Sequence, residues 1–169
     1  REEIDPAFEA VTDLPVVGDT GAKAIVIMGE LWGARAPTTC HSTTIYAEIV
    51  LAPGGAMPIE AASADERAVM LVGGEAEIAG QPLGLYELTV LAPGAEMALS
   101  SSGGGRVMLL GGESFATPRH VWWNFVSSSR ERIEQAKSDW RAGLFPLVPG
   151  DAAEFIPLPT GTPKTVSYP

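Results

Sequence analysis

Apolar residues along this chain come in short runs separated by glycine and proline. Ala24 to Met28 is the first run. In the next, Thr43 to Leu51, the residues Ile45, Ala47, Ile49 and Leu51 alternate with Thr44, Tyr46, Glu48 and Val50. Successive side chains of a strand point to opposite faces, so this period of two predicts a half-buried strand. Pro53-Gly54-Gly55 then turns the chain. Arg67 to Val72 gives another strand, closed by Gly73-Gly74, with Glu75 to Ile78 expected to return as its hairpin partner. Tyr86 to Leu91 ends at Pro93-Gly94, and Glu96 to Ser100 is short. The stretch from Ser100 to Gly105 is a flexible tip of serine and glycine, after which Arg106 to Leu110 returns as a strand. Strands spaced this evenly, without helices between them, predict an antiparallel sandwich or barrel.

The two ends differ from this middle. Residues 1–21 read as a connecting arm, punctuated by Asp5-Pro6 and Leu14-Pro15. Residues 22–126 make the barrel, with Arg119 to Val126 as a closing aromatic strand. Residues 127–169 hold one helix and a proline-rich arm that packs on the barrel. Ser128-Ser129-Arg130-Glu131 has the form of a capping box, with Ser128 as the cap and the Glu131 carboxylate reaching back. Ile133, Ala136 and Trp140 recur at helical spacing and Gly143 supplies a stop, so a helix is expected near 128–142. Pro146, Pro149, Pro157, Pro159 and Pro163 exclude helix from the remainder.

Composition narrows the function classes. The 169 residues suit one domain, and 46% hydrophobic content supports a core. The formal net charge of −10 repels phosphate backbones and anionic lipid, which argues against nucleic-acid and membrane-surface partners. The single cysteine, Cys40, excludes an internal disulfide and a cysteine zinc cluster. No apolar run has the roughly 18 residues a membrane span needs, and Arg1-Glu2-Glu3 is no signal sequence. A cytoplasmic protein is the plain expectation. A start without methionine points to a processed or partial product.

Little here can carry chemistry. The two histidines, His41 and His120, lie in separate segments. Cys40-His41 invites a ligand pair or thiol–imidazole dyad, but neighbours on extended chain point apart. His120, beside Trp122 and Trp123, reads as a packed or hydrogen-bonded residue, and the tryptophan pair as core. Gly112-Glu113-Ser114-Phe115-Ala116 is one residue from a hydrolase nucleophile elbow, yet that elbow needs a strand-to-helix turn and Pro118 follows instead. Gly103-Gly104-Gly105-Arg106 has neither the lysine nor the helix of a phosphate loop. Glu75 and Glu77 share one strand face and read as solvated. No catalytic, cofactor-binding or metal residue is therefore assigned.

Two parts of the chain carry a family resemblance. Gly55, Glu66 and Gly73, the last after six intervening residues, resemble the glutamate half of the first cupin motif. The two histidines that precede that glutamate in cupins would fall within Ile59-Glu60-Ala61-Ala62-Ser63, where none is present. The second motif's proline, glycine and histidine meet Pro93-Gly94-Ala95-Glu96-Met97-Ala98, again without a histidine. The closing segments are more distinctive. Leu109-Leu110-Gly111-Gly112-Glu113, the run from Arg119 to Ser128, and Phe155-Ile156-Pro157-Leu158-Pro159 resemble the C-terminal half of bacterial pirin-family proteins. The opening, Glu2 to Phe8, is similar to the link that follows the first pirin domain.

The resemblance implies a cupin-type antiparallel β-barrel with one C-terminal helix and an extended arm. Pirins are double cupins, so it further implies an N-terminal cupin partner in which three histidines and a glutamate hold iron, and in several members a quercetin 2,3-dioxygenase activity. None of those ligands lies in this chain, so it is expected to be the metal-free half that covers and stabilises the other. Other readings are a stand-alone small-molecule-binding cupin and a regulatory interaction module. A half barrel pair separated from its partner exposes apolar surface, and the mean hydropathy of +0.14 is high for so charged a chain. The expectation is an exposed apolar patch involving Trp122 or Trp123, the helix or the arm, and a tendency to dimerise or aggregate.

Overall fold

Alternation decides the first element of the core. In a computed structural model describing residues 4–5, 7–151, 153–160 and 166–168, Ile45, Ala47, Ile49 and Leu51 are all buried on one face of a strand, as their spacing predicts. The strands in chain order are β1 (Val16–Gly18), β2 (Ala22–Met28), β3 (Glu30–Leu31), β4 (Ala34–Arg35), β5 (Thr44–Leu51) and β6 (Ala56–Ile59). A single 3-10 turn, Ala61–Ser63, leads to β7 (Glu66–Gly74), β8 (Glu77–Ile78), β9 (Gln81–Pro82), β10 (Leu88–Val90), β11 (Met97–Ser100) and β12 (Gly105–Gly112). They form a six-stranded sheet in the order β1-β2-β5-β12-β7-β10 and a four-stranded sheet in the order β6-β11-β8-β9. Every pairing between these strands is antiparallel. Val26, Ala47, Ile49, Val69, Val107 and Leu109 of the larger sheet share one core with Ile59 and Leu99 of the smaller. This is the cupin-type β-sandwich that the strand spacing and the resemblance imply, with the two sheets left unclosed at their edges.

Two strands form where the sequence reading placed something else. β1 lies within the predicted connecting arm and pairs with β2 in the register Val16↔Ile25. The turn between them is held by Asp19, whose Oδ1 accepts the amides of Gly21 at 2.7 Å and Ala22 at 3.2 Å. Those bonds favour the carboxylate and hold its pKa below the ordinary value. Glu75 to Ile78 does not fold back on β7. Gly74, at φ +71°, turns the chain out of the larger sheet, and β8 pairs with β11 and β9 instead. A side chain at Gly74 would meet the Gly104 carbonyl at 2.3 Å, so this crossing requires glycine.

The chain divides into two units, the first running to Ser114 and the second from Phe115 onward. The second unit contains β13 (Arg119–Trp122), β14 (Phe125–Ser127), the helix α1 (Arg130–Arg141) and β15 (Val166–Tyr168). The aromatic run read as one barrel strand is therefore a hairpin. Trp123 sits at φ +53° in its turn, and Trp122 pairs with Phe125. Residues 119–126 join the helix side of the chain, where β13 is the centre of a separate three-stranded sheet. The physical reason is that Trp122, Trp123, Phe125, Trp140, Phe145 and Phe155 assemble their own aromatic cluster, with ring centroids 5.2 to 6.4 Å apart.

Helix α1 begins one residue later than the capping-box reading. Ser129 is the cap, its Oγ accepting the Arg132 amide at 3.3 Å and donating to the Glu131 carboxylate at 2.7 Å. The helix stops at Gly143 as predicted. The Gly143 amide bonds the Trp140 carbonyl and the Leu144 amide bonds the Asp139 carbonyl, a Schellman motif that needs the positive φ of 67° at Gly143. Ile133 and Lys137 face inward, and the Lys137 ammonium lies 4.3 Å from the Trp122 ring centroid. The expected apolar patch lies on the arm: Leu144, Leu147, Val148, Phe155 and Ile156 are exposed, whereas Trp122 is only 5% exposed.

The cap gives a direct prediction. Ser129→Ala lowers the unfolding free energy at neutral pH by about 1 kcal/mol. The Ser129 hydroxyl holds the Glu131 pKa below its ordinary value, so that bond contributes above the unfolded-state pKa and is lost as pH falls through the folded one. Urea midpoints should therefore differ most near pH 7 and converge partly, not fully, below pH about 4.

Candidate functional site

The parity of β7 determines what reaches the interior. Arg67, Val69 and Leu71 face inward, while Glu66 is exposed. The inward end of this strand thus carries a guanidinium that is only 2% exposed. Its Nη1 donates to the carbonyls of Glu60 at 2.9 Å and Ile59 at 3.5 Å, and its Nη2 to those of Ala95 at 2.9 Å and Ala92 at 3.0 Å. Nε is buried with no partner. Desolvating a charge costs several kcal/mol, and hydrogen bonds to a charged group return roughly 1.5–3 kcal/mol each. Four carbonyls converging on one cation therefore make the placement affordable. In exchange they tie the end of β6 to the turn after Leu91, and Ala61 is fastened to the same turn by its amide bond to Glu96 Oε1 at 3.0 Å.

These are the segments in which a cupin would place its ligands. Glu66, the residue matched to the cupin glutamate, points outward and accepts the Ser114 hydroxyl at 2.8 Å. Moving the motif on by one residue, from Arg67 to Gly74, keeps the six-residue spacing and puts arginine at the inward position. Ala61, Ser63 and Met97 occupy the neighbouring stretches. A divalent metal needs about four N/O donors on one ion, and a fixed cation beside such a site opposes it. Among the described residues no group of three or more His, Cys, Asp or Glu side chains is placed to hold a metal. The residues present do not fit the cupin iron.

The other candidates separate in space. Cys40 lies on irregular chain just before a bend at His41 and Ser42, not in a strand; the thiol reaches the Thr38 carbonyl at 3.6 Å, and His41 is exposed. Ser114 is held by Asp65 and Glu66 with no imidazole among its bonds, so it fastens a loop. His120 is half-buried on β13, and its charge helps lower the pKa of Glu131. Glu75 and Glu77 accept the hydroxyls of Ser102 and Ser100, so both brace the serine-glycine tip. Arg106 pairs with Glu48 across the larger sheet.

Sequence reasoning missed two features. Arg67 was visible as a charged residue in phase with Val69 and Leu71, a breach of the alternation that only a buried, satisfied role explains. The second is the hairpin β3–β4, whose turn residues Trp32 and Gly33 both have positive φ, at 50° and 74°. Asparagine or glycine usually takes the first of these positions. Here the tryptophan indole donates to the Pro58 carbonyl at 2.8 Å. Its ring walls a cavity of about 500 Å³ with Leu31, Ile45, Cys40, Thr44 and Ser63.

A cupin-type sandwich with a carbonyl-bound arginine on its inward face is the class that fold and site define. The sequence matches the pirin C-terminal cupin domain over residues 46–146, and the chain belongs to the pirin family as its C-terminal cupin half. A pirin-like protein of Caulobacter vibrioides is 43% identical over 163 residues, covering 94% of this chain and 55% of that protein. A Pseudomonas aeruginosa protein named as a candidate quercetin 2,3-dioxygenase is 29% identical over 144 residues, covering 85% and 46%. A crystal structure of quercetin 2,3-dioxygenase from Acinetobacter baumannii superposes with a TM-score of 0.85 at 28% identity, covering 97% of this chain and 56% of that one. The chain thus spans about half the length of the relatives it matches. No helix among the described residues is long and apolar enough to cross a membrane.

Arg67 yields the sharpest test. Arg67→Ala leaves four carbonyls without their donor and should lower stability by about 3 kcal/mol or more. Arg67→Met fills the volume but supplies no donor, and should recover only part of that loss. Denaturant melts of both variants check this; unchanged stability in Arg67→Ala would remove the guanidinium from its structural role.

Proposed function

We infer that this chain is the metal-free C-terminal cupin of a two-barrel pirin-like protein, and that it supports an N-terminal cupin that binds iron. The parent is read as a metal-dependent quercetin 2,3-dioxygenase, with all of its redox chemistry supplied by the metal of the other half. The observation that carries this reading is Arg67: a buried cation held by four backbone carbonyls, next in sequence to the Glu66 that matches the cupin motif. The half-length match to the relatives supports the existence of a partner barrel, and the name of the Pseudomonas relative supports the activity proposed for the parent. The reading places the protein in the cytoplasm.

Elemental analysis of purified, tag-free chain is expected to find no stoichiometric transition metal. Oxygen uptake with quercetin should be absent from the chain alone and present in the full-length protein. One tightly held iron per chain, or turnover that scales with the chain and survives chelation, overturns the reading.

The cavity beside Trp32 favours a second reading, a small-molecule site independent of metal. Its 500 Å³ volume suits a small ligand, and one wall is an aromatic ring fixed by its own hydrogen bond. Under that reading a screened ligand changes tryptophan fluorescence in the wild type, and Trp32→Ala weakens it at least tenfold. A screen with no such ligand leaves the supporting role alone.

A further inference from the structure

Trp32 is held in a backbone conformation that does not suit it. Its φ of 50° lies in the left-handed region, which glycine or asparagine enters with less strain. Such outliers persist only where their surroundings enforce them, and they gather at ligand sites. The indole N–H is bonded to the Pro58 carbonyl at 2.8 Å, so the ring is fixed in place. It is half-buried and borders a cavity of about 500 Å³, a volume within the range of small-molecule sites.

Three segments line that cavity, and each is anchored by its own hydrogen bonds. The hairpin β3–β4 supplies Glu30, Trp32 and Arg35, and the Ala36 amide closes it on the Gly29 carbonyl at 2.9 Å. The chain entering β5 supplies Cys40, Ser42 and Ile45, and Thr38 Oγ1 ties it to the Ile27 carbonyl at 2.6 Å. The end of β6 and its 3-10 turn supply Glu60 and Ser63. The Glu60 carbonyl is one of the four that Arg67 binds. The cavity is thus formed in advance of any ligand, which favours binding.

Its lining is rich in polar groups. Ser42, Thr43, Thr44 and Ser63 bring hydroxyls, each able to donate and to accept. Arg35 and Glu30 form an ion pair at 2.6 Å, which leaves Glu60 as the uncompensated charge among the lining residues. An apolar ligand would strand these groups without water, and an anion would meet the Glu60 carboxylate. A saturated ring with hydroxyls around its edge and C–H bonds on its face meets both demands. The hydroxyls bond the serines, threonines and carboxylate, while the C–H face rests on the electron-rich face of the indole.

We propose that the cavity beside Trp32 binds a neutral pyranose sugar, stacked on the indole ring. The inference rests on the small-molecule reading of this cavity and adds the class of ligand to it. Trp32 is the platform, Glu60 accepts adjacent hydroxyls, and the Arg35–Glu30 pair offers a donor beside an acceptor. Cys40 lines the same cavity and is the chain's single cysteine, so its reactivity reports occupancy.

The test uses the full-length protein, with methyl β-glucoside, methyl β-galactoside, glucose 6-phosphate and quercetin as probes. Alkylation of Cys40 by iodoacetamide is read on its own peptide by mass spectrometry, and the concentration dependence of protection gives Kd. At least one glycoside should bind with a Kd on the order of 1 mM and slow alkylation about fivefold at saturation. Glucose 6-phosphate should bind at least tenfold more weakly than that glycoside. Glu60→Gln, at an exposed position and with an unchanged melting temperature, should weaken the glycoside about tenfold. Trp32→Ala should weaken it at least as much, whereas Trp32→Phe, which keeps a ring, should stay within about threefold of wild type. Protection by quercetin alone overturns the sugar and leaves a small-molecule site at this cavity. Protection by no probe overturns the sugar, and a wider screen that also finds no ligand removes the cavity reading with it. Glycoside binding that neither Glu60→Gln nor Trp32→Ala weakens puts the sugar elsewhere and overturns the site. Tighter binding of the phosphate than of either glycoside overturns the neutral class.

Discussion

The first unit depends on one buried guanidinium. Arg67 stands on the inward face of β7 in line with Val69 and Leu71, and its four bonds go to backbone carbonyls of two segments distant in sequence. In a metal-binding barrel, a metal joins the corresponding segments through side-chain ligands. Here a covalently attached cation joins them through the main chain. It cannot dissociate, and it supplies no open coordination position. The buried Nε without a partner marks the residual cost of that arrangement.

Around this fixed point the two units solve burial differently. The first uses aliphatic alternation between two sheets, with Ile49, Ile59, Leu99 and Leu109 fully buried. The second has too few strands for that and relies on stacked and edge-on rings from β13, β14, α1 and the arm. Within this second unit Trp140 ties the helix to the arm, since its indole donates to the Ile156 carbonyl at 2.9 Å while its ring packs on Trp123 and Phe145. Leu144, Leu147, Val148, Phe155 and Ile156 of the arm stay exposed in this arrangement.

The sequence by itself determined the class of fold. Period-two alternation over 44–51, the glycine and proline punctuation and the helical spacing of Ile133 and Trp140 are local signals, each set by the geometry of a single element. The aromatic and proline-rich closing segments carried the family, because they are distinctive without reference to any contact. Tertiary structure decided the rest. Whether Glu75 to Ile78 pairs with β7 or crosses to β11 depends on which partner edge lies within reach, and nothing local encodes that. The run from Arg119 to Val126 could be read as one strand until the Trp123 turn let its rings meet Trp140 and Phe145. Whether Glu66 or Arg67 faces inward is a matter of register, where a shift of one residue exchanges the two faces of a strand. Motif spacing tolerates that shift, and only the packed sheet fixes it, since the interior accepts a charge solely where carbonyls from distant segments converge on it.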